Sequence, residues 1–145
     1  MASVTDFHEL PPSPALSTSA EQLSPLNLAY IGDAVYTLLV RTRLVAAANR
    51  PTGTLTSSAN RVVRACQQSA AYYKLQPMLA DDEAAILKRG RNAKTTHRAK
   101  NATVADYRNA TGLEALFGYL YLTGRTNRLL ELFDICWSEN NAENH

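Results

Sequence analysis

The stretch LAYIGDAVYTLLV at residues 28–40 is apolar enough to belong inside a folded protein, yet it carries one carboxylate, Asp33, and no basic residue before Arg41. A second run, ATGLEALFGYLYL at residues 110–122, repeats the pattern with Glu114 as its one charged residue. An ionised carboxylate is costly to bury unless it is paired, hydrogen-bonded or coordinated, and neither run contains a Lys or Arg. Each carboxylate therefore needs a partner from elsewhere in the fold.

The two carboxylates have two interpretations. Carboxylate oxygens, with water completing the shell, are the ligands that Mg²⁺ prefers, and a shared ion would let Asp33 and Glu114 lie close together. Alternatively, each lies on the solvated face of an amphipathic helix, although finding the pattern twice favours a shared site. Gly32 and Gly118 each cost a helix about 1 kcal/mol relative to alanine, which indicates a packing or functional reason. Gly118 follows Glu114 by one turn, where its missing side chain would admit another helix.

The spacing of apolar residues predicts helices throughout the chain. Ser24 and Pro25 are typical of an N-cap and a first helical residue, and predict a helix to about residue 47. Further helices are predicted over 55–77, 81–90 and 103–122, the last closed by Gly124, and from about residue 126 onward. No period-2 strand pattern occurs, so the predicted fold is all-α. We expect residues 1–22 to be a disordered or loosely docked tail, 23–138 the folded domain and 139–145 a polar tail.

Composition narrows the class of protein. The 145 residues suffice for about one domain, and 46% of them are hydrophobic, as in an ordinary globular protein. No charge-free apolar run reaches the roughly 18–20 residues that span a bilayer, so no membrane contact is predicted. Acidic residues near the N-terminus stand where an export signal would be basic, which makes the cytoplasm the expected location. Cys66 and Cys136 are isolated in the sequence, so we expect two reduced, buried thiols rather than a disulfide or a zinc site.

Positive charge is concentrated between the two carboxylate runs. The net charge is only +2, but no acidic residue occurs between Glu83 and Asp106. The basic segment, residues 88–101, holds Lys88, Arg89, Arg91, Lys94, Arg98 and Lys100, with His97 among them. Interleaved Gly, Asn and Thr residues add donors for phosphate oxygens and ribose hydroxyls. A charge-rich loop is usually just solvated, but beside a magnesium site it gains weight, because metal-assisted phosphodiester cleavage needs both parts.

Taken together, YIGDAVY (30–36), RGRNAK (89–94), KNATVADYR (100–108) and ATGLEALFGYLYLTGR (110–125) closely resemble Mini-ribonuclease III. That family is a short bacterial branch of ribonuclease III without its double-stranded-RNA-binding domain. The resemblance covers residues 23–135, and the order and spacing of the blocks are more specific than any one block. It implies an all-α ribonuclease III-type endonuclease domain that forms a homodimer with a valley for double-stranded RNA.

The resemblance also implies a mechanism and site residues. Asp33 and Glu114 would be the catalytic and metal-binding pair for Mg²⁺, and hydrolysis would leave a 5′-phosphate and a 3′-hydroxyl. Two further acids of full-length ribonuclease III are replaced here by Ala29 and Thr111, which leaves the number of bound Mg²⁺ ions open. Expected RNA contacts are Arg89, Arg91, Asn92, Lys94, Lys100 and Asn101, with Tyr107 and Arg108 at the site entrance. The implied substrate is the base-paired precursor of large-subunit (23S) ribosomal RNA, and a ribosomal protein that helps to present this substrate is the further expected partner.

Two other classes of function are weighed against this interpretation. A catalytically silent RNA-binding or ribosome-associated module would keep the fold and tolerate substitution of Asp33. A helical protein-interaction domain would show no preference for duplex RNA and no steep loss of RNA affinity with salt. The sequence indicates a dimer surface only through Tyr119, Tyr121 and the last helix, which are more apolar than a small monomer needs.

Overall fold

Six α-helices make up the described part of the chain, which covers residues 15–94 and 102–143 of a computed structural model. They are α1 (Pro25–Ala47), α2 (Thr52–Val63), α3 (Ala65–Leu75), α4 (Asp81–Asn92), α5 (Val104–Leu122) and α6 (Thr126–Glu143). Short 3₁₀ helices occur at Ala20–Gln22 and Gln76–Met78. No strand occurs in these two ranges, so the all-α prediction is confirmed.

Several helix ends follow the predicted capping residues. Ser24 Oγ accepts a hydrogen bond from the backbone N–H of Leu26 at 3.2 Å, and Pro25 is the first residue of α1. Thr103 is the N-cap of α5 rather than its first helical residue. Gly124, just after α5, has a φ of +72°, which is the left-handed conformation that closes many helices and that glycine adopts without strain.

One predicted helix over 55–77 is wrong, because the structure has two. Arg64 separates α2 from α3 with an extended ψ of 153°. Neither glycine nor proline occurs at this break. Helix α2 packs mainly against α1, whereas α3 packs mainly against α5, so tertiary contacts rather than local propensity decide the bend. The bend also changes which residues of α3 face the core.

Other boundaries differ by a few residues. Helix α4 continues through Asn92, two residues beyond its predicted end at Gly90, so Arg91 and Asn92 lie on the helix rather than in the predicted loop. Helix α6 continues through Glu143 into the predicted polar tail. Residues 20–22 lie in the predicted N-terminal tail, yet Ala20 is buried. The Arg89 guanidinium donates to the backbone carbonyls of Glu21 at 2.6 Å and Leu23 at 3.0 Å, which docks this segment on α4.

Helix α5 is the centre of the fold and packs against α1, α3 and α4. From residue 109 to 120 every side chain is buried except Glu114, which is half-buried. Edge-to-face contacts of Tyr36 with Phe117 and Phe133, with centroids 5.2 and 5.5 Å apart, join α1, α5 and α6. A helix that is apolar all round belongs inside its neighbours, so Glu114 projects from the most enclosed element. None of the helices in the described ranges is long and apolar enough to cross a bilayer.

Candidate active site

The site begins where the backbones of α1 and α5 touch. A Cβ atom built on Gly32 would lie 1.6 Å from the carbonyl oxygen of Glu114, and one on Gly118 would lie 2.0 Å from the carbonyl oxygen of Leu28. Only residues without a side chain permit this approach. The prediction that Gly32 and Gly118 are needed for helix packing is therefore confirmed. Because Gly32 adjoins Asp33 and contacts the backbone of Glu114, the junction brings both carboxylates to one place.

Asp33 and Glu114 form a hydrogen-bonded pair with unequal environments. Asp33 is exposed, whereas Glu114 is half-buried. Burial, reinforced by the hydrogen bond and charge of Asp33, raises the pKa of Glu114 to about 9, while a hydrogen bond with Gln68 acts in the opposite direction. The raised pKa favours the protonated form of Glu114 at neutral pH, in which its carboxyl group donates a hydrogen bond to Asp33. A solvated face accounts for Asp33 alone, but not for Glu114.

The donor chemistry of the pair fits a hard divalent cation. Asp33 and Glu114 would hold the cation through their carboxylate oxygens, the ligands that Mg²⁺ prefers, once Glu114 has lost its proton. In the ranges that the structure describes, no three His, Cys, Asp or Glu side chains cluster as a metal site. The positions of the two replaced acids agree with this, since Ala29 is apolar and the Thr111 hydroxyl donates to the carbonyl of Tyr107 at 3.0 Å. Mg²⁺ here would keep several water ligands.

A cavity of about 600 Å³ opens beside Glu114. Its wall joins the break between α2 and α3 to the first half of α5, and its polar or reactive lining residues are Arg64, Cys66, Gln68, Tyr107, Thr111 and Glu114. Arg64, Cys66 and Gln68 were not predicted as site residues. The prediction that Cys66 is buried is wrong, because its thiol is exposed, whereas Cys136 is buried as expected. The sequence signal for Gln68 is an amide at a core position of α3. One continuous helix over 55–77 does not place Gln68 in the core, because it lacks the bend at Arg64 that sets which residues of α3 face inward.

The residues expected to contact RNA occupy different environments. Arg89 is committed to the backbone carbonyls of the N-terminal segment. Arg91 Nε donates to Asn109 Oδ1 at 3.0 Å, and Asn109 Nδ2 donates to Ser69 Oγ at 2.9 Å. This places Arg91 at the end of a buried hydrogen-bond chain across α4, α5 and α3.

The other expected RNA contacts divide by exposure. Asn92, Lys94 and Arg108 are exposed, and Tyr107 is half-buried in the cavity wall. Lys100 and Asn101 lie outside the described residues. As RNA contacts, all eight residues stay predictions.

An all-helical domain with paired carboxylates at the junction of two central helices is the arrangement of a ribonuclease III-type nuclease domain. The family model described as "Ribonuclease III domain" matches residues 26–125. The chain is also similar to a crystal structure of a Fusobacterium nucleatum protein, with a TM-score of 0.74 and 31% identity, over 81% of this chain and 94% of that one.

Curated relatives narrow the family further. A Mini-ribonuclease 3 of Thermoanaerobacter sp. (strain X514) is 43% identical over 113 residues, which are 78% of this chain and 80% of the relative. A Mini-ribonuclease 3 of Brevibacillus brevis is 46% identical over 109 residues, or 75% and 81% of the two chains. The chain therefore belongs to the ribonuclease III family, in its Mini-ribonuclease 3 branch, and is an endoribonuclease.

Proposed function

We propose that this endoribonuclease cleaves double-stranded RNA in a reaction that requires Mg²⁺ held by Asp33 and Glu114. The observation that carries the proposal is the hydrogen-bonded carboxylate pair at the backbone contact between α1 and α5. Burying one acid beside another costs stability, which a structural role would not require. The name Mini-ribonuclease 3, borne by relatives of this chain, supports the same reaction class.

The proposed chemistry divides between the two carboxylates. Bound Mg²⁺ would stabilise the charge on the phosphate and acidify a water molecule, and the products would carry a 5′-phosphate and a 3′-hydroxyl. Asp33 is exposed, so its side chain is free to reorient when the phosphate of the RNA binds. Glu114 is fixed on the central helix and must lose its proton before it binds a cation, so binding is favoured by rising pH.

The grip on the duplex is proposed to come from the basic segment and the start of α5. Lys94 and Arg108 are exposed cations, and Asn92 is exposed and accepts a long hydrogen bond of 3.4 Å from Arg91 Nη1, so all three side chains can reach phosphate. Arg91 is oriented by Asn109, so its guanidinium loses less entropy on binding. Lys100 and Asn101 complete the proposed set, whereas Arg89 acts first as a structural anchor.

We also propose a homodimer, but on a different surface from the sequence signal. Tyr119 is fully buried within the chain, as are Leu129, Leu132 and Phe133 of α6, so they are not available to a partner. Helix α1 instead exposes Leu26, Tyr30 and Leu38 at four-residue multiples, and Tyr30 is 85% exposed. This stripe adjoins Asp33, so a partner there would place two sites near one duplex and permit cleavage of both strands.

The particular substrate proposed is the precursor of 23S ribosomal RNA, in the cytoplasm, with a ribosomal protein that helps to present it. This part of the proposal rests on the family resemblance. It is tested by adding a transcript of the precursor stalk to the purified enzyme, with and without large-subunit ribosomal proteins, and mapping the ends.

The decisive experiment compares wild type, Asp33→Asn and Glu114→Gln on a labelled RNA duplex, with Mg²⁺ and with EDTA. Single-stranded RNA and duplex DNA are the controls. We expect Mg²⁺-dependent cleavage of duplex RNA by wild type and a loss of at least a hundredfold in either variant. Binding without cleavage of every duplex, including the precursor stalk, would instead support a catalytically silent RNA-binding module.

The proposed grip is tested separately from catalysis. In the Glu114→Gln background, Lys94→Ala and Arg108→Ala should weaken duplex binding and each reduce the slope of log affinity against log salt by roughly one. Arg50→Ala, an exposed cation on the loop between α1 and α2, is the matched control. An unchanged salt slope in both variants would remove these residues from the interface.

A further inference from the structure

Gln68 is a buried polar residue beside the proposed metal site. It lies on α3, is 2% exposed, and hydrogen-bonds through its side chain to Glu114. It also lines the cavity onto which Glu114 faces. A buried amide has to satisfy its donors inside the protein, and this one does so on a carboxylate of the site.

The chemistry of an amide suits this place. The Gln68 Nε2–H donates to the Glu114 carboxylate without bringing a charge, so it can orient the carboxylate without displacing a cation. A lysine or arginine at the same position would compete with Mg²⁺ for Glu114. Asp33 cannot provide this orientation, because its own side chain is exposed.

The position of Gln68 is itself fixed. The next residue, Ser69, is buried and accepts a hydrogen bond from Asn109 Nδ2 at 2.9 Å. Asn109 lies on α5, the same helix as Glu114, and is fully buried. Helices α3 and α5 are therefore tied together one residue from the Gln68 amide, so its hydrogen bond reaches Glu114 from a rigid wall.

We propose that Gln68 is a positioning residue, which holds the Glu114 carboxylate in the orientation that binds the metal. This inference rests on the proposed Mg²⁺-dependent cleavage of duplex RNA. It gives α3 a role in the reaction, although α3 lies outside the two sequence runs that carry Asp33 and Glu114.

The test uses the full chain and the variant Gln68→Met, which keeps the length of the side chain and removes the donor. Gln67→Met is the matched control, since Gln67 is half-buried on the same helix but does not line the cavity. For Gln68→Met we expect kcat to fall between about tenfold and a hundredfold, as for loss of a hydrogen bond to a charged group. The KM for the duplex should stay within about twofold, and the half-saturating Mg²⁺ concentration should rise. Gln67→Met should behave as wild type.

A double-mutant cycle separates positioning from general damage to α3. In a Glu114→Gln background, Gln68→Met should cause no further loss of cleavage, because Gln68 acts through Glu114. A further loss as large as in wild type would overturn the inference. So would an equal fall in kcat for Gln67→Met, or a Gln68→Met enzyme with the kcat and Mg²⁺ requirement of wild type.

Metal binding without RNA keeps this inference distinct from the proposed substrate. Titration with Mn²⁺, followed by electron paramagnetic resonance, should show weaker binding to Gln68→Met than to wild type or Gln67→Met. That result would support the inference even if wild type cut no duplex. Equal Mn²⁺ affinity in all three proteins would overturn it, and no Mn²⁺ binding to wild type would overturn both proposals.

Discussion

Replacing Gly32 by alanine tests the contact on which the whole site depends. The added Cβ would lie 1.6 Å from the carbonyl oxygen of Glu114 and 2.8 Å from the amide nitrogen of Gly118, whereas ordinary contacts start at 3.4 Å. Both obstacles are backbone atoms of the central helix, so no side chain can swing away. Helices α1 and α5 would have to separate by about 2 Å, which breaks close packing along their shared length.

The cost can be weighed against the gain in helix propensity. Alanine is favoured over glycine in a helix by about 1 kcal/mol, while overpacking of this severity costs 3 kcal/mol or more. The net loss of about 2–3 kcal/mol should lower the melting temperature by roughly 5–10 °C for a chain of this size. Because a displacement near 1 Å can cost a hundredfold in rate, cleavage should fall at least that much even below the melting transition.

The assay is thermal and urea unfolding followed by circular dichroism at 222 nm, with cleavage measured at a temperature where the variant stays folded. Gly53→Ala is the matched control, because a Cβ on Gly53 of α2 meets nothing within 4 Å. That variant should gain up to about 1 kcal/mol. If Gly32→Ala were as stable as wild type, the direct backbone contact between α1 and α5 would be refuted.

Three further predictions follow from charge and exposure. The hydrogen-bonded ion pair with Arg128 holds the pKa of buried Glu83 below its usual 4.5, so its contribution to stability is present above that pH and is lost as the pH falls through the lowered pKa. Glu83→Gln should therefore lower the free energy of unfolding by about 2–3 kcal/mol at pH 7, and this free energy, measured with urea, should fall less steeply below pH 4.5 than in wild type. An unchanged dependence on acid pH would contradict the role of the ion pair. The pKa of Glu114 is raised to about 9, so the folded state binds an extra proton between about pH 4.5 and 9 and loses stability as the pH rises through that range. In EDTA at pH 8, Glu114→Gln should thus be more stable than wild type by up to about 5 kcal/mol, and the difference should vanish near pH 4; parallel curves would refute it. Tyr30→Arg should convert the proposed dimer to a monomer in light scattering, whereas Tyr73→Arg, at a side chain 59% exposed on α3, should not.

The features that the sequence predicted are those that local chemistry determines. Ser24 and Pro25 start α1, and Gly124 closes α5, because capping and left-handed conformations depend on single residue types. The close approach at Gly32 was predictable for the same reason, since a glycine inside a helix is costly without a use. The pairing of Asp33 with Glu114 follows once those two helices touch.

What the sequence could not show depends on tertiary contacts. No residue near Arg64 breaks a helix, so the bend arises from the different partners of α2 and α3. The bend shifts the register of α3, which exposes Cys66 and buries Gln68, the reverse of what one continuous helix predicts. Periodicity also fails on α5, because a helix enclosed on all sides has no polar face to identify; Tyr119 therefore suggested a dimer surface although it is fully buried.

The geometry of the site explains why its two acids stand in apolar helices. Without side chains between α1 and α5, the backbone positions of Asp33 and Glu114 are set by main-chain contact rather than by side-chain packing. A carboxylate can be held this rigidly only on the central helix α5, which is buried. The raised pKa of Glu114 is therefore a consequence of its place on that helix. Two carboxylates alone hold Mg²⁺ weakly, since the ion keeps most of its water. In the function proposed above, Asp33 and Glu114 would hold the ion beside the RNA phosphate, so the metal and the duplex should each bind more tightly in the presence of the other.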